Sequence, residues 1–369
     1  MFPSVTDHRR ALHLIPELDD QLPETLDYVT SLLRGLPCAL TFPIPGSVCA
    51  YFDAGRQETV AFRADLDALP VEEATDLPYA SRHPSVMHAC GHDGHTAMVL
   101  ALAQWLSQQD AASLRRNVLL VFQPAEETTG GAGRICESDI LEQLHVTRIF
   151  GLHLWPGLAA GTLASRPGPL MARSNEVTVT LTGKSVHLSR AAEGRDALMA
   201  GAEYLRRVYG AMDALPPEQL RVLRFGKMTS GTVRNAVSGR TVLEGSLRTY
   251  DEPTHRACRD ILDRTARDIA EETGCGAEVC LSEGYPPVWN HEGLHAAVCA
   301  ALGPEAPAEL SAPSLAAEDF SFYQRRVPGV FFFLGVGDTA ELHAPTFTFD
   351  DVSILPKGVA FLQRLALLP

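Results

Sequence analysis

Four short runs, Thr59-Val-Ala-Phe62, Val118-Leu-Leu-Val-Phe122, Arg148-Ile-Phe-Gly-Leu152 and Val330-Phe-Phe-Phe-Leu334, decide the fold class. Each is apolar along its length rather than at alternate positions and is bounded by turn signals, the mark of a strand buried on both faces. Helical segments alternate with these runs, which is the pattern of an α/β protein whose mixed, largely parallel sheet is flanked by helices. Polar groups follow each run within a few residues: Asp65 and Asp67, then Glu126 and Glu127, then His153, then Asp338 and His343. Open parallel sheets bind ligands beyond the carboxyl ends of their strands, so the four runs predict one shared site.

Working outward, Thr96 to Gln109 is apolar nearly all round and predicts a buried helix. Its start follows the richest polar cluster in the chain, Met87-His-Ala-Cys-Gly-His-Asp-Gly-His95. From Ser174 to Glu283 the pattern changes, because Glu176-Val-Thr-Val-Thr-Leu-Thr182 alternates apolar and polar residues as a half-exposed antiparallel strand does. Strand, helix, strand, strand, helix and strand follow in order, the second helix ending at Gly274, and this is the order of a ferredoxin-like unit. The expected organisation is a discontinuous larger domain, 1–173 and 284–369, with residues 174–283 inserted.

A length of 369 residues suits about two domains at roughly 150 residues each. Apolar residues make up 46% and charged residues 21%, which is ordinary globular usage. The net charge of −14 argues against a nucleic-acid partner, since phosphate binding requires clustered Lys and Arg. No stretch approaches the roughly 20 apolar residues of a membrane span. Charges in Met1 to Arg10 stand where a secretory signal needs an apolar core, and the expected location is cytoplasmic. Eight cysteines scattered over a long chain read as free thiols rather than as a disulfide framework.

Cys90-Gly91-His92 places a thiol two residues from an imidazole, and both bind borderline metals. The same tripeptide also suits a buried thiol beside a structural histidine. His88, Asp93 and His95 add weight to the metal reading, because so many imidazoles beside a buried helix are costly without partners. Glu126 and Glu127 arrive together at the end of a buried strand, and adjacent residues of an extended chain point opposite ways. One carboxylate then holds a metal while the other faces a water, the arrangement that metal-assisted hydrolysis uses; taken in isolation, the pair also reads as a solvated acidic turn. Together Cys90, His92, Glu127, His153 and His343 offer five ligands, too many for one tetrahedral ion and suited to a pair.

The runs Arg63-Ala-Asp-Leu-Asp-Ala-Leu-Pro70, Met87 to His95, Phe122-Gln-Pro-Ala-Glu-Glu127, Gly151-Leu-His153 and Ala317-Glu-Asp-Phe-Ser-Phe322 resemble the M20 metallopeptidase family. More narrowly they are similar to its amidohydrolase branch of N-acyl amino acid amidohydrolases, hippurate hydrolases and auxin-conjugate hydrolases. The opening Arg9-Arg-Ala-Leu-His-Leu-Ile-Pro-Glu-Leu18 fits as well. The resemblance implies a di-metal exopeptidase-like catalytic domain with a ferredoxin-like lid that also dimerises. It implies that Cys90, His92, Glu127, His153 and His343 hold two divalent ions per chain, zinc or manganese, with cobalt or nickel able to substitute in vitro. It implies Glu126 as general base, His187 as the group that polarises the scissile carbonyl from a partner subunit, and Asn235 and Arg248 at the substrate's carboxylate end. Asp65 is expected to orient a ligand from behind. Ser185-Val186 stand where family members carry glycines, and Ala236-Val237-Ser238 replace the usual Val-Ile-Pro; both departures bear on the substrate rather than on the metal positions.

The expected activity is metal-dependent cleavage of the amide of a small N-acyl amino acid or related conjugate. A dipeptidase of the same family stands as an alternative. Two rival readings are a Cys90 thiol nucleophile with a histidine base and a metal- or peptide-binding protein without catalysis. A homodimer is expected, paired or packed through the strand around 176–182.

Overall fold

The computed structural model describes residues 2–369. These form two compact units. One comprises the chain up to Leu170 together with Trp289–Pro313 and Asp319–Pro369, and the other comprises Met171–Val288 and Ser314–Glu318. The short return Ser314–Glu318 left no signal in the sequence; it joins the second unit through a Met171–Ser314 bridge and an Ala172 N–H bond to the Ala316 carbonyl.

In the first unit the four apolar runs are the centre of an eight-stranded sheet. Its order is Ala39–Thr41, Val48–Phe52, Asn117–Gln123, Thr59–Asp65, Val146–Pro156, Gly329–Gly337, Leu163–Ser165, Ala308–Glu309. Thr59–Asp65 runs parallel to both its neighbours, and Gly329–Gly337 runs parallel to Val146–Pro156. Val48–Phe52 and Leu163–Ser165 flank this centre in the antiparallel sense. Every residue of Thr59–Asp65 and Asn117–Gln123 is buried, as expected of strands covered on both faces. The parallel register brings Asp65 opposite Gln123 and His153 opposite Phe333, so the carboxyl ends gather on one side. Strand pairing continues to Pro156, which places His153 inside its strand rather than after it.

The helix after the polar cluster spans His92–Leu106, starting four residues before the expected Thr96. His92, Asp93 and His95 therefore occupy its first turn. Gly91 precedes it with φ +84°, a left-handed backbone that glycine adopts without strain, and a Cβ there would meet Leu154 Cδ1 at 3.1 Å. Leu100 and Leu102 on this helix share a core with Phe62, Phe122, Phe150 and Phe332.

The second unit has an antiparallel sheet in the order Gly276–Leu281, Arg173–Thr182, Arg240–Thr249, Arg221–Ser230. Helices Ala197–Asp213 and Glu252–Thr273 contribute Tyr204, Val208, Leu262 and Ile269 to a core with Val177, Val179 and Leu181. This is the ferredoxin-like order. One expectation is corrected: Val177–Thr182 has a hydrogen-bonded strand on each side, so this stretch offers no free edge to a second copy. The edge strands are Gly276–Leu281 and Arg221–Ser230. All eight cysteines are free. Among the described residues no helix is long and apolar enough to cross a membrane.

Candidate metal centre

Four segments of the first unit deliver the expected ligands. Cys90 and His92 come from the start of the buried helix, Glu127 from the turn after Asn117–Gln123, His153 from its central strand and His343 from the loop after Gly329–Gly337. The donor atoms of Cys90, His92 and His153 lie within 4.8 Å of one another, and so do those of Cys90, Glu127 and His343. Cys90 Sγ is 3.6 Å from His153 Nε2, and His343 Nε2 is 3.3 Å from Glu127 Oε1. The five expected residues thus form two triads that share Cys90.

Local hydrogen bonds aim the imidazoles. His92 donates from Nδ1 to the Asp67 carbonyl at 2.8 Å, and His153 donates from Nδ1 to the Leu154 carbonyl at 2.7 Å. Each ring therefore presents Nε2 inward. His92 Nε2 is buried and has no hydrogen-bond partner among the described residues. A buried nitrogen of this kind is costly unless something binds it, and a divalent cation fits a donor set of one thiol, three imidazoles and a carboxylate. The charges point the same way. The carboxylates favour positive charge at this position: burial alone would lower the His92 pKa, but Asp65, then Asp67 and Glu127, lift it to about 10, so that in the metal-free protein the ring holds a proton that a bound cation would displace. His153, with burial and His95 acting against its charged form, is held neutral, as a ligand must be.

The Glu126–Glu127 pair departs from expectation. The two residues lie in a turn, not in extended chain, and both carboxylates face His92: Nε2 is 4.0 Å from Glu126 Oε2 and 3.8 Å from Glu127 Oε1. The cause is Asp67, whose carboxylate accepts the N–H groups of both residues at 3.0 and 3.1 Å. Ala125 enters the turn with φ +56°, and its carbonyl accepts from the N–H groups of Gly130 and Gly131. Gly131 is required there, since a Cβ would stand 1.9 Å from the Pro124 oxygen.

Asp65 is buried behind the centre, but it touches none of the five expected ligands within hydrogen-bonding distance. Its partners are Arg63 and His95, the latter at 2.7 Å, and His92 Nε2 is 3.9 Å away. Arg63 continues to Asp319 at 2.7 Å and to Gln123 at 2.9 Å. His92, Arg63 and His95 hold the Asp65 carboxyl well below the usual range despite its burial. Asp67 and His95 received no role from the sequence. Asp67 had a signal, being two residues beyond Asp65 at the end of a buried strand; His95 had none beyond its place in the cluster. The rival reading of Cys90 as a nucleophile meets a physical obstacle: burial, then Glu127 and Glu126, push its thiol well above the ordinary value, the opposite of the activation that a nucleophile needs.

The remaining expected residues lie in the second unit. His187 is exposed, and its Nδ1 accepts the Ser189 N–H at 3.2 Å, which leaves Nε2 protonated. Backbone pairing brings it beside the Asn235 loop, through Leu188 N–H to the Asn235 carbonyl and Val237 N–H to the Val186 carbonyl. Arg248 is half-buried near the other end of Arg240–Thr249. Arg248 lies eight residue steps along the strand from Arg240, roughly 27 Å at about 3.4 Å per step. Asn235 lies beyond Arg240 in the direction away from Arg248, because Gly183 pairs with Gly239 and Leu188 with Asn235 past the strand ends. One copy of this unit therefore does not bring Asn235 and Arg248 together.

Comparison with known proteins agrees with this geometry. The sequence profile of Peptidase family M20/M25/M40 matches residues 61–368. The chain is 34% identical over 370 residues to N-acetyldiaminopimelate deacetylase of Lactobacillus helveticus, spanning 95% of this chain and 94% of that one. It is 34% identical over 374 residues to N-acetyl-L-cysteine deacetylase of Bacillus subtilis, spanning 97% and 86%. Among solved structures, the Bacillus subtilis YXEP protein, a dinuclear metal binding peptidase from the M20 family, superposes with a TM-score of 0.84 at 31% identity, covering 98% of this chain and 96% of that one. The resemblance noted in the motifs is borne out: the chain belongs to peptidase family M20/M25/M40 and is a hydrolase acting on amide bonds.

Proposed function

We propose that this protein is a dinuclear-metal amidohydrolase that cleaves small N-acyl amino acids to a carboxylate and a free amine. The observation that carries the reading is the pair of triads sharing Cys90, with a buried, unpartnered His92 Nε2 between them and a sixth group, Glu126, beside them. Cys90, His92, Glu127, His153 and His343 hold the two ions. Thiol and imidazole donors favour zinc, and the carboxylate also suits manganese. Bound there, the ions supply Lewis-acid polarisation of the amide carbonyl and lower the pKa of a water.

Glu126 accepts the proton of the attacking water and passes it to the leaving nitrogen, so that one C–N bond breaks as one C–O bond forms. Asp67 holds Glu126 and Glu127 in the turn that this division of labour requires. His187 of a second copy, with its proton on Nε2, donates to the oxyanion. Asn235 and Arg248 receive the substrate's carboxylate, for which an arginine fork is geometrically suited. Since one copy separates these two residues, a site that uses both draws them from two copies, which supports a homodimer. The edge strand Arg221–Ser230 and the exposed Leu198 and Met199 support a contact surface on this unit.

The names of the two deacetylases support acetylated amino acids as first candidates. Eight free cysteines suit a reducing compartment and support a cytoplasmic location. The test is release of free amine from N-acetyl, N-benzoyl and indole-acetyl amino acids after adding zinc, manganese or cobalt back to stripped protein. Hydrolysis of at least one of them supports the reading, and none of them, with metal bound, contradicts it.

A further inference from the structure

One buried polar cluster of the first unit lies outside the mechanism. His13, at the end of helix Val5–His13, is fully enclosed. Its Nδ1 lies 2.7 Å from Asp93 Oδ2 and its Nε2 lies 3.2 Å from Glu73 Oε1. Carboxylate oxygens accept, so both ring nitrogens donate and the ring carries two protons. Arg9 Nε meets the same Asp93 oxygen at 2.8 Å.

The two carboxylates lead to different ligands: Asp93 adjoins His92, and Glu73 adjoins Ala74, which is bonded to the His343 loop. Asp93 follows His92 in the first helical turn, and its Oδ1 accepts the Gly94 N–H at 2.8 Å. Glu73 lies in the irregular stretch between Asp65 and His92 and accepts the Ser81 N–H at 2.6 Å. The next residue, Ala74, donates its N–H to the Pro345 carbonyl at 2.8 Å, two residues past His343. His343 donates its own N–H to the Ala89 carbonyl at 2.9 Å, beside Cys90. His343 has φ +67° and an exposed side chain. Its backbone is in a region that non-glycine residues occupy at a cost, so its placement depends on the contacts that hold its loop.

We propose that His13 is a positioning residue that ties the Cys90–His92 segment to the His343 loop and thereby sets the affinity of the metal position shared by Cys90, Glu127 and His343. The inference rests on the ligand assignment proposed above. His13 acts through Asp93 and Glu73 rather than on a ligand. Without the imidazole, Asp93 keeps Arg9, while Glu73 loses its link to the helix. The disturbance therefore falls on the His343 side. The triad Cys90, His92 and His153 is anchored in a helix start and a central strand and keeps its geometry.

The test is zinc titration of the chelator-stripped full chain, in competition with a chromophoric chelator, for wild type, His13→Gln and Glu73→Ala, with thermal unfolding of each metal-free protein. The expected result is two sites in wild type, with one weakened about 10–100-fold in both variants and the other unchanged. Glu73→Ala removes the other end of the link and leaves the His13–Asp93 contact in place, so it decides the matter if His13→Gln does not fold. Equal weakening of both sites, or a lowered melting temperature with both affinities intact, overturns the inference in favour of a role in folding alone. Fewer than two sites in wild type overturns the dinuclear reading and this inference with it, whereas two wild-type sites indifferent to both substitutions overturn this inference only.

Discussion

His95 donates from Nδ1 to Asp65 at 2.7 Å and accepts the Leu154 N–H on Nε2 at 2.9 Å. Both nitrogens are occupied, so the ring is not a ligand even though its centroid lies 4.5 Å from that of His153. It instead holds the N–H of Leu154, the residue whose carbonyl sets the His153 tautomer. His95→Gln should weaken metal binding about 10–100-fold and destabilise the metal-free protein by about 1–3 kcal/mol through an unsatisfied buried group. Chelator competition and denaturant unfolding check the two effects, and an unchanged metal affinity would reduce His95 to a packing residue.

Glu126→Ala removes the proposed base and none of the proposed ligands. Metal content should stay at the wild-type value while turnover falls about 10²–10⁴-fold. Elemental analysis alongside amine release measures both. Turnover within a few-fold of wild type in a clean preparation would remove Glu126 from the mechanism.

Cys90 should be a poor target for alkylation. Burial, Glu127 and Glu126 keep it a thiol, whereas thiolate is the reactive form. Iodoacetamide at neutral pH should label the exposed Cys280 first, with Cys90 modified only slowly. Peptide mass spectrometry reads the order. Rapid labelling of Cys90 accompanied by loss of activity would revive the nucleophile reading.

The His13 cluster makes stability depend on pH in a definite direction. Burial lowers the His13 pKa, but Asp93 and then Glu73 outweigh it and the net shift is upward from 6.5. A raised folded value means that the contribution is complete below 6.5 and is lost as pH rises through the folded value. On the acid side, burial raises the Glu73 carboxyl, yet His13 and the Ser81 N–H hold it down to about 2. Its contribution is present above 4.5 and is lost as pH falls from there to about 2. The unfolding free energy of wild type minus that of His13→Gln, measured in metal-free protein, should shrink between pH 6.5 and alkaline pH. A difference independent of pH over that range would mean that the ring is neutral.

The parallel core was legible because strands buried on both faces read as continuous apolar runs, and all four runs occupy the centre of the sheet. The five expected ligands were legible because each sits at or just past the end of such a run or at the start of the buried helix. Long-range polar pairing was not legible. Nothing local to Asp67 says that its carboxylate will receive two N–H groups from residues 126 and 127, and the spacing of Glu126 and Glu127 alone suggested an extended chain. The edge position in the second sheet was hidden for a similar reason: alternation in residues 176–182 reveals a strand covered on one face, but not how many strands flank it. Asn235 and Arg248 are thirteen residues apart, and only the strand between them shows how far that carries the chain.

The most direct test of the central claim is amine release from N-acetyl amino acids by the chelator-stripped protein as zinc or manganese is titrated back. The account predicts no hydrolysis in the stripped protein and activity that rises until two ions are bound per chain. Full hydrolysis without metal, or none with both positions filled, would contradict it.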